Sequence, residues 1–378
     1  MKTVKVKFVG FWDFYDFKKS LVCKAISKNY NLVESEDPDY IICSLFTFLH
    51  HEYCQYPQVR IFLSEENYLP NFNLVDYAIS GYPLSLSDRH VYMPGCIDDF
   101  GHCESLAAKE RHYDASFLET KTLFANFIAS HESEHNFRGD FFKKLCAYKK
   151  VTSAGSYLNN MPNGETVDWK DDSKQSLQRK CKFTLCFEST SHNEFITEKI
   201  TDAFMADTIP VYFGSTAAKD IFNPKAFIDC SDYDSFDDVI AKIIEIDNDD
   251  ELFLEMMNQP IFNNPNFVQE RLAALETFFC NIFEQPVEKA YRRSRVYSPK
   301  RDEDNINTCT ALWNEIRKGT LVKSEIYHKL MNAHGHKLPK DKWRDFCFEI
   351  SRLPNLIISA LLGKKLYGKL KSKLKARH

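Results

Sequence analysis

Short apolar runs alternate with polar, periodically spaced segments along most of the chain, and this rhythm predicts an α/β protein. Residues 4–9 read as a first strand and 16–28 as the helix that follows. Further apolar runs at 40–43, 60–63 and 77–80 read as strands. Strands alternating with helices at this spacing imply a doubly wound, parallel sheet. The segment 99–119 is polar and mixed, and the domain junction is expected within it. A second series then begins. It has strands at 123–129, 151–152, 183–187, 209–213 and 227–228, and helices at 138–149, 235–246 and 267–283. In the helix at 235–246, Val239, Ile243 and Ile246 carry helical apolar spacing. The acidic stretch 247–250 reads as a surface turn. The chain therefore divides into a first domain at 1–118 and a second at 119–290. A helical extension at 291–352 and a basic amphipathic tail at 353–378 follow.

The densest chemistry lies in 183–214. A strand there leads through a polar loop to a helix starting near Thr197, with Glu198 and Lys199 in its first turn, and a second strand closes at Gly214. A helix start offers unbonded N–H groups and the positive end of a dipole, which suit a diphosphate. A cation in that turn opposes the dipole. Lys199 is thus either a solvated surface lysine or one placed beside an anion. Glu66, next to Glu65, closes the strand at 60–63, where parallel sheets place their sites. It reads either as a general base or as one of two solvated loop acids. Arg138 opens the helix at 138–149 and, as a bare residue, reads as a surface helix arginine. His131 and His135 read as solvated. No acidic pair stands where a metal-dependent nucleotide site would need one, so no metal is expected.

The stretch from Phe187 to Gly214 resembles the signature of the α-1,3-fucosyltransferases, glycosyltransferase family 10. Phe187, Glu188, Phe195, Thr197, Glu198, Lys199, Ala203, Pro210, Val211 and Gly214 fall in register with it. The likeness continues in Glu66-Asn67, Pro70-Asn-Phe-Asn73 and Asp76-Tyr-Ala-Ile79, and in Arg138, Ser153-Ala-Gly155 and Leu158-Asn-Asn160. It implies the GT-B architecture, two Rossmann-like domains facing a cleft. It implies GDP-fucose as donor, transferred with inversion to a glycan acceptor containing GlcNAc, with no cofactor. Glu66 would be the general base, Arg138 and Lys199 the diphosphate ligands, and Glu198 a contact to the ribose or to the sugar's developing positive charge. Ser189 and Phe195 stand at the donor, where the family has Asn and Tyr. Restoring the hydroxyl at Phe195, in a wet cleft, is expected to lower the donor KM. Restoring the amide at Ser189 is expected to overpack the pocket. A GT-B enzyme with another deoxysugar donor, or an inactive glycan-binding module, are the rival readings.

Composition refines this only at the edges. With 44% hydrophobic and 27% charged residues, the 378-residue chain has enough apolar material for two cores. Its 31 Phe and 18 Tyr suit a sugar-binding cleft, although most must be core. A net charge of −4 argues against a nucleic-acid binder. Twelve cysteines without a C-x-x-C pair, Cys181 and Cys186 among them as buried thiols, fit a reducing compartment. No run reaches the length of a membrane-spanning helix. Residues 363–378 hold seven Lys/Arg and no acid, behind the apolar run 353–362. That segment is either solvated or lies on an anionic bilayer surface. The expected location is cytoplasmic, peripheral on the inner face of a bacterial membrane.

Overall fold

The computed structural model describes residues 1–293 except 13–14, 47–50, 65, 98–101, 134–135, 169–170 and 190–194, and beyond 293 only 306, 307 and 311. Glu65, His135, most of the extension at 291–352 and the whole tail at 353–378 lie outside the described residues.

The first domain is built on β1 (Lys2–Val9), β2 (Tyr30–Glu34), β3 (Tyr40–Cys43), β4 (Val59–Ser64), β5 (Tyr77–Ser80) and β6 (His90–Tyr92). Helix α1 (Leu21–Ser27) connects β1 to β2, capped by the Ser20 hydroxyl, which accepts from the N–H of Cys23. Every pairing is parallel and the order is β2-β1-β3-β4-β5-β6. The chain moves outward from β1 to β2 and then resumes on the other side of β1 at β3. The switch point therefore lies between the C-terminal ends of β1 and β3. The inner strands β3, β4 and β5 are buried at every position, as strands covered on both faces must be.

Helix α2 (His102–Ala107) leads into the second domain. There β7 (Leu123–Phe127), α3 (Phe137–Cys146), β8 (Val151–Ser153), α4 (Ser173–Arg179), β9 (Cys181–Phe187), α5 (Glu198–Met205) and β10 (Ile209–Phe213) follow in turn. The series ends with α6 (Ala218–Ile221), β11 (Ile228–Asp229), α7 (Phe236–Asn248) and α8 (Asp250–Met257). The second sheet is again all parallel, in the order β11-β10-β9-β7-β8, with its switch point between β7 and β9. Two such α/β domains make the GT-B fold.

Two expectations need correction. The last long helix, α9 (Phe267–Phe283), does not stay with the second domain. It packs on the first, with Tyr30 and Tyr40 edge-on to Phe283 and Tyr77 edge-on to Phe278. After α10 (Val287–Ala290), the backbone N–H groups of Arg292 and Arg293 donate to buried Asp76 at 2.6 and 2.8 Å. The Arg293 guanidinium pairs with the same carboxylate. The first domain therefore comprises residues from both ends of the described chain, because α9 finds its apolar cover on the first sheet. The acidic stretch at 247–250 is likewise no simple surface turn. Asp247 is buried, paired with Lys149 and, at 3.5 Å, with Lys182.

The link between domains is fastened to the second. The Lys109 ammonium donates to the carbonyls of Phe204 and Met205 at 3.3 and 2.9 Å, at the C-terminal end of α5, where the helix dipole favours a cation. Tyr113 exchanges hydrogen bonds with Asn258 and donates its hydroxyl to Asp207. A single apolar cluster runs from the first sheet through α2 and α9 to Ile200 and Phe204 of α5. Helix α5 thus sits on the seam between the two domains.

Candidate active site

The N-terminal end of α5 is organised by a carboxylate the sequence reading did not count as a site residue. Glu188 follows β9 directly and is 2% exposed. Its Oε1 accepts the N–H of Thr197 at 2.8 Å, and both oxygens accept the Thr197 hydroxyl at 2.9 and 2.8 Å. Its Oε2 takes the Lys199 ammonium at 3.0 Å. Glu188 therefore satisfies the N–H of the N-cap residue Thr197, as the third-position carboxylate of a capping box would, but from a strand end rather than from the helix itself. Gly214 is required beside it: a Cβ there would stand 2.6 Å from both the Glu188 Cγ and the Tyr212 hydroxyl. This gives the closing glycine of the motif a steric reason.

Lys199 is consequently not a solvated surface lysine. Its ammonium is held by Glu188, by the Thr197 hydroxyl at 2.8 Å and by Glu198 at 3.7 Å. Burial works against its charge, but Glu198 and Glu188 outweigh it and drive its pKa upward. Glu198 leaves half of its side-chain surface open to the cleft. The surrounding walls desolvate it, yet the Lys199 and Lys174 ammonium groups prevail and hold its carboxyl below the usual value. The helix start expected for a diphosphate thus already has one N–H, that of Thr197, engaged by an internal anion. What faces the cleft is a fixed ammonium between two carboxylates.

Arg138 lies at the switch point of the second sheet. Its Nε and Nη2 donate to the Phe187 carbonyl at 3.2 and 2.7 Å, and Nη1 donates to the His131 carbonyl at 2.9 Å. It is 4% exposed, so the surface-arginine alternative falls away. The guanidinium ties the loop after β7 to the last residue of β9, one position before Glu188. Glu132, also missed in the sequence, accepts the Gly139 N–H at 3.1 Å and the Tyr157 hydroxyl, fixing the start of α3.

From the other domain, Glu66 enters just past β4. Its N–H donates to the Ser64 hydroxyl at 3.2 Å, which turns the chain sharply after the strand. The side chain is exposed to the cleft. Desolvation by the cleft walls raises its pKa, Glu198 and Glu188 add to the rise, and Lys199 opposes it. Glu66 therefore feels Glu188, Glu198 and Lys199 from across the cleft, and these four groups form one electrostatic cluster. Phe195 is 3% exposed, so its ring edge is not in the wet cleft that the motif suggested. Ser189 is half-buried at the end of the Glu188 turn. Among the described residues no group of His, Cys, Asp or Glu is arranged to hold a metal ion, and no helix is long and apolar enough to cross a membrane.

Known proteins resemble this chain in sequence and in fold. Residues 118–299 match the family model "Glycosyltransferase family 10 (fucosyltransferase) C-term", and residues 6–97 match "Alpha-(1,3)-fucosyltransferase FucT N-terminal domain". The α-(1,3)-fucosyltransferase FucT of Helicobacter pylori is 28% identical over 302 residues, 69% of this chain and 60% of that protein. The chain thus spans about three fifths of that relative's length. The human 4-galactosyl-N-acetylglucosaminide 3-α-L-fucosyltransferase 9 is 34% identical over 80 residues, 21% of this chain and 22% of that protein. A crystal structure of an α1,3-fucosyltransferase with GDP-fucose superposes with a TM-score of 0.58 at 26% identity, covering 73% of this chain and 90% of that one.

Proposed function

This chain belongs to glycosyltransferase family 10, and from that premise we propose that it is an inverting α-1,3-fucosyltransferase. It moves L-fucose from GDP-fucose to O3 of GlcNAc in a lactosamine-type glycan. The observation that carries the reading is the cluster across the cleft. A carboxylate of raised pKa on the first domain, Glu66, faces a fixed ammonium and a carboxylate of lowered pKa on the second, Lys199 and Glu198.

Each group has a task in such a transfer. Glu66 accepts the proton of the acceptor hydroxyl as its oxygen attacks C1 of fucose. A raised carboxylate pKa makes a better base. As the C1–O bond to the diphosphate breaks, the sugar ring gains positive charge and GDP gains negative charge. Glu198, held ionised, lies on the side of the former. Lys199 and Arg138 supply positive charge for the latter. Diphosphate is a good leaving group, so no separate acid is needed. Departure of GDP from one face and attack from the other inverts C1.

The test is product formation from GDP-fucose and N-acetyllactosamine, with the linkage read by NMR. Glu66→Gln is expected to lower kcat by about 10²–10⁴-fold while GDP binding by calorimetry is kept. Loss of GDP affinity equal to that of Lys199→Ala would refute the division of roles. Because Ser189 and Phe195 depart from the family at the donor, a panel of deoxysugar nucleotides belongs in the same assay. Turnover of another donor in preference to GDP-fucose would favour the rival enzyme reading. Glycan binding with no turnover of any donor would favour the inactive module.

A further inference from the structure

Arg138 is the second residue of α3, and Lys199 the second of α5. The second residue of α4 is also a cation, Lys174, and the proposed chemistry gives it no task. Helices of a parallel sheet run antiparallel to its strands, so α3 and α5 start where β7 and β9 end. Helix α4 runs straight into β9, and its start therefore stands at that same end of the sheet. The crossover from β8 to β9 passes over β7, the strand on the other side of the switch point. A right-handed crossover there lays α4 on the face that α5 also covers. The side chains agree with this placement. The Lys174 ammonium pairs with Asp202 in the second turn of α5, and Gln175 Nε2 donates to the Asp202 carbonyl at 3.3 Å. Lys174 and Asp202 are 17% and 19% exposed, so the ammonium is covered but not sealed.

The three cations converge on one carboxylate. Glu198 lies 3.7 Å from the Lys199 ammonium. Against the desolvation of its site, Lys199 and Lys174 both favour its charged form, and Glu198 in turn supports the charge of Arg138. Burial pushes up the thiol of Cys186, next to the last residue of β9, and the same two lysines oppose that rise. The field of Lys174 thus reaches the end of β9 and the start of α5, where open parallel sheets bind their ligands. Packing alone does not account for a charge at this position. Gln175 already ties the two helices with a neutral hydrogen bond. A cation this early in a helix faces the positive end of the dipole, and fixing a lysine side chain costs rotamer entropy. An anion arriving from outside would offset both. Lys199 is shared with Glu188, and Arg138 donates to two carbonyls, so neither is wholly available to a diphosphate.

Resting on the reading of the chain as a GDP-fucose transferase, we propose that Lys174, kept at the rim by Asp202, is a third cation of the diphosphate site beside Lys199 and Arg138. The experiment measures GDP binding by calorimetry to the full chain as wild type, Lys174→Met, Lys174→Arg, Asp202→Asn and the double variant Lys174→Met/Asp202→Asn, with UDP and dTDP in parallel. Lys174→Met is expected to weaken GDP roughly tenfold, the size of one charge-assisted hydrogen bond, and Lys174→Arg to restore most of it. Asp202→Asn should bind GDP at least as well as wild type, because it takes a negative charge off the rim. A mere tie between helices predicts the reverse. Asp202→Asn as weak as Lys174→Met overturns the proposal, and so does wild-type affinity in Lys174→Met. Where Lys174→Met folds poorly because Asp202 is left unpaired, the double variant carries the comparison. It should bind GDP roughly tenfold more weakly than Asp202→Asn, and equal affinity refutes the role. The other nucleotides separate this result from the donor reading. If wild type binds UDP or dTDP in place of GDP, with the same loss in Lys174→Met, the third cation stands and the GDP-fucose reading falls. If none of the three nucleotides binds in a Lys174-dependent way, the proposal is wrong, and fucose transfer by wild type alongside that result leaves the transferase reading intact.

Discussion

Replacing Glu188 by Gln removes one negative charge from the start of α5 and almost nothing else. The wild-type carboxylate serves two groups at once, Thr197 through its N–H and hydroxyl, and Lys199 through its ammonium. An amide has one accepting oxygen. Turned toward Thr197, it points its NH2 at the ammonium; turned toward Lys199, it points its NH2 at the Thr197 N–H. Either way a charge-assisted bond is lost and two donors face each other. Removing one partner of a fully buried pair costs about 3–5 kcal/mol. Here the figure is moderated, because Lys199 is a quarter exposed and Glu198 remains 3.7 Å away as a second partner. A charge-assisted hydrogen bond and part of a helix cap together come to about 2–4 kcal/mol. The expected result in urea unfolding is a loss of that size in the transition reported by the second domain. GDP affinity by calorimetry should fall at least tenfold, since the ammonium is no longer held at the cleft. A variant within about 0.5 kcal/mol of wild type, with unchanged GDP binding, would show that Glu188 does not organise the site.

Three other outcomes follow from the same geometry. The acid limb of kcat/KM should be shifted upward from where an ordinary carboxylate would put it, because Glu66 must be ionised to accept a proton and desolvation by the cleft walls together with Glu198 raises its pKa; Glu198→Gln should move that limb to lower pH, and an upward shift or none would refute the coupling. Phe195→Tyr should raise the donor KM and lower the melting temperature, opposite to what the motif alone suggested, since the buried ring has no wet edge and overpacking costs about 1–3 kcal/mol; steady-state kinetics and a thermal melt decide it. Removing residues 353–378 should abolish sedimentation with anionic vesicles, and added salt should weaken it in the full chain; equal binding with and without the segment would deny it that role.

The inner strands were legible because they are continuous apolar runs with helices between them: β5 and β10 fall where the pattern places them. The edge strands β2 and β6 escaped notice because an edge buries few side chains; in β2 only Tyr30 is buried. Helix α8 was hidden because the acids at 247–250 resemble a turn. Their meaning depends on Lys149 and Lys182, which arrive from distant parts of the chain. The same holds in the site. Lys199 could be suspected from its place at a helix start, and Glu198 and Arg138 were named through the resemblance, but Glu188 could not be given a task until Thr197 and Lys199 folded back upon it. No local pattern says which sheet a helix will cover, so α9 was assigned by its place in the sequence and not by its partner.

The return of α9 bears on the order in which this molecule is made. Synthesis runs from the N-terminus, yet Tyr30, Tyr40 and Tyr77 must wait for Phe278 and Phe283, and Asp76 must wait for Arg293. The second domain waits less, because its strands and most of their covering helices are continuous from Leu123 to Met257, with only the short stretch to Asn263 still to close on α6. On the ribosome, therefore, the half that begins first is completed last. A nascent chain released before residue 293 would carry an open aromatic face on its first sheet. That makes the early-emerging domain the one that depends on chaperones or on rapid elongation, and it makes the middle of the chain the natural place for folding to start.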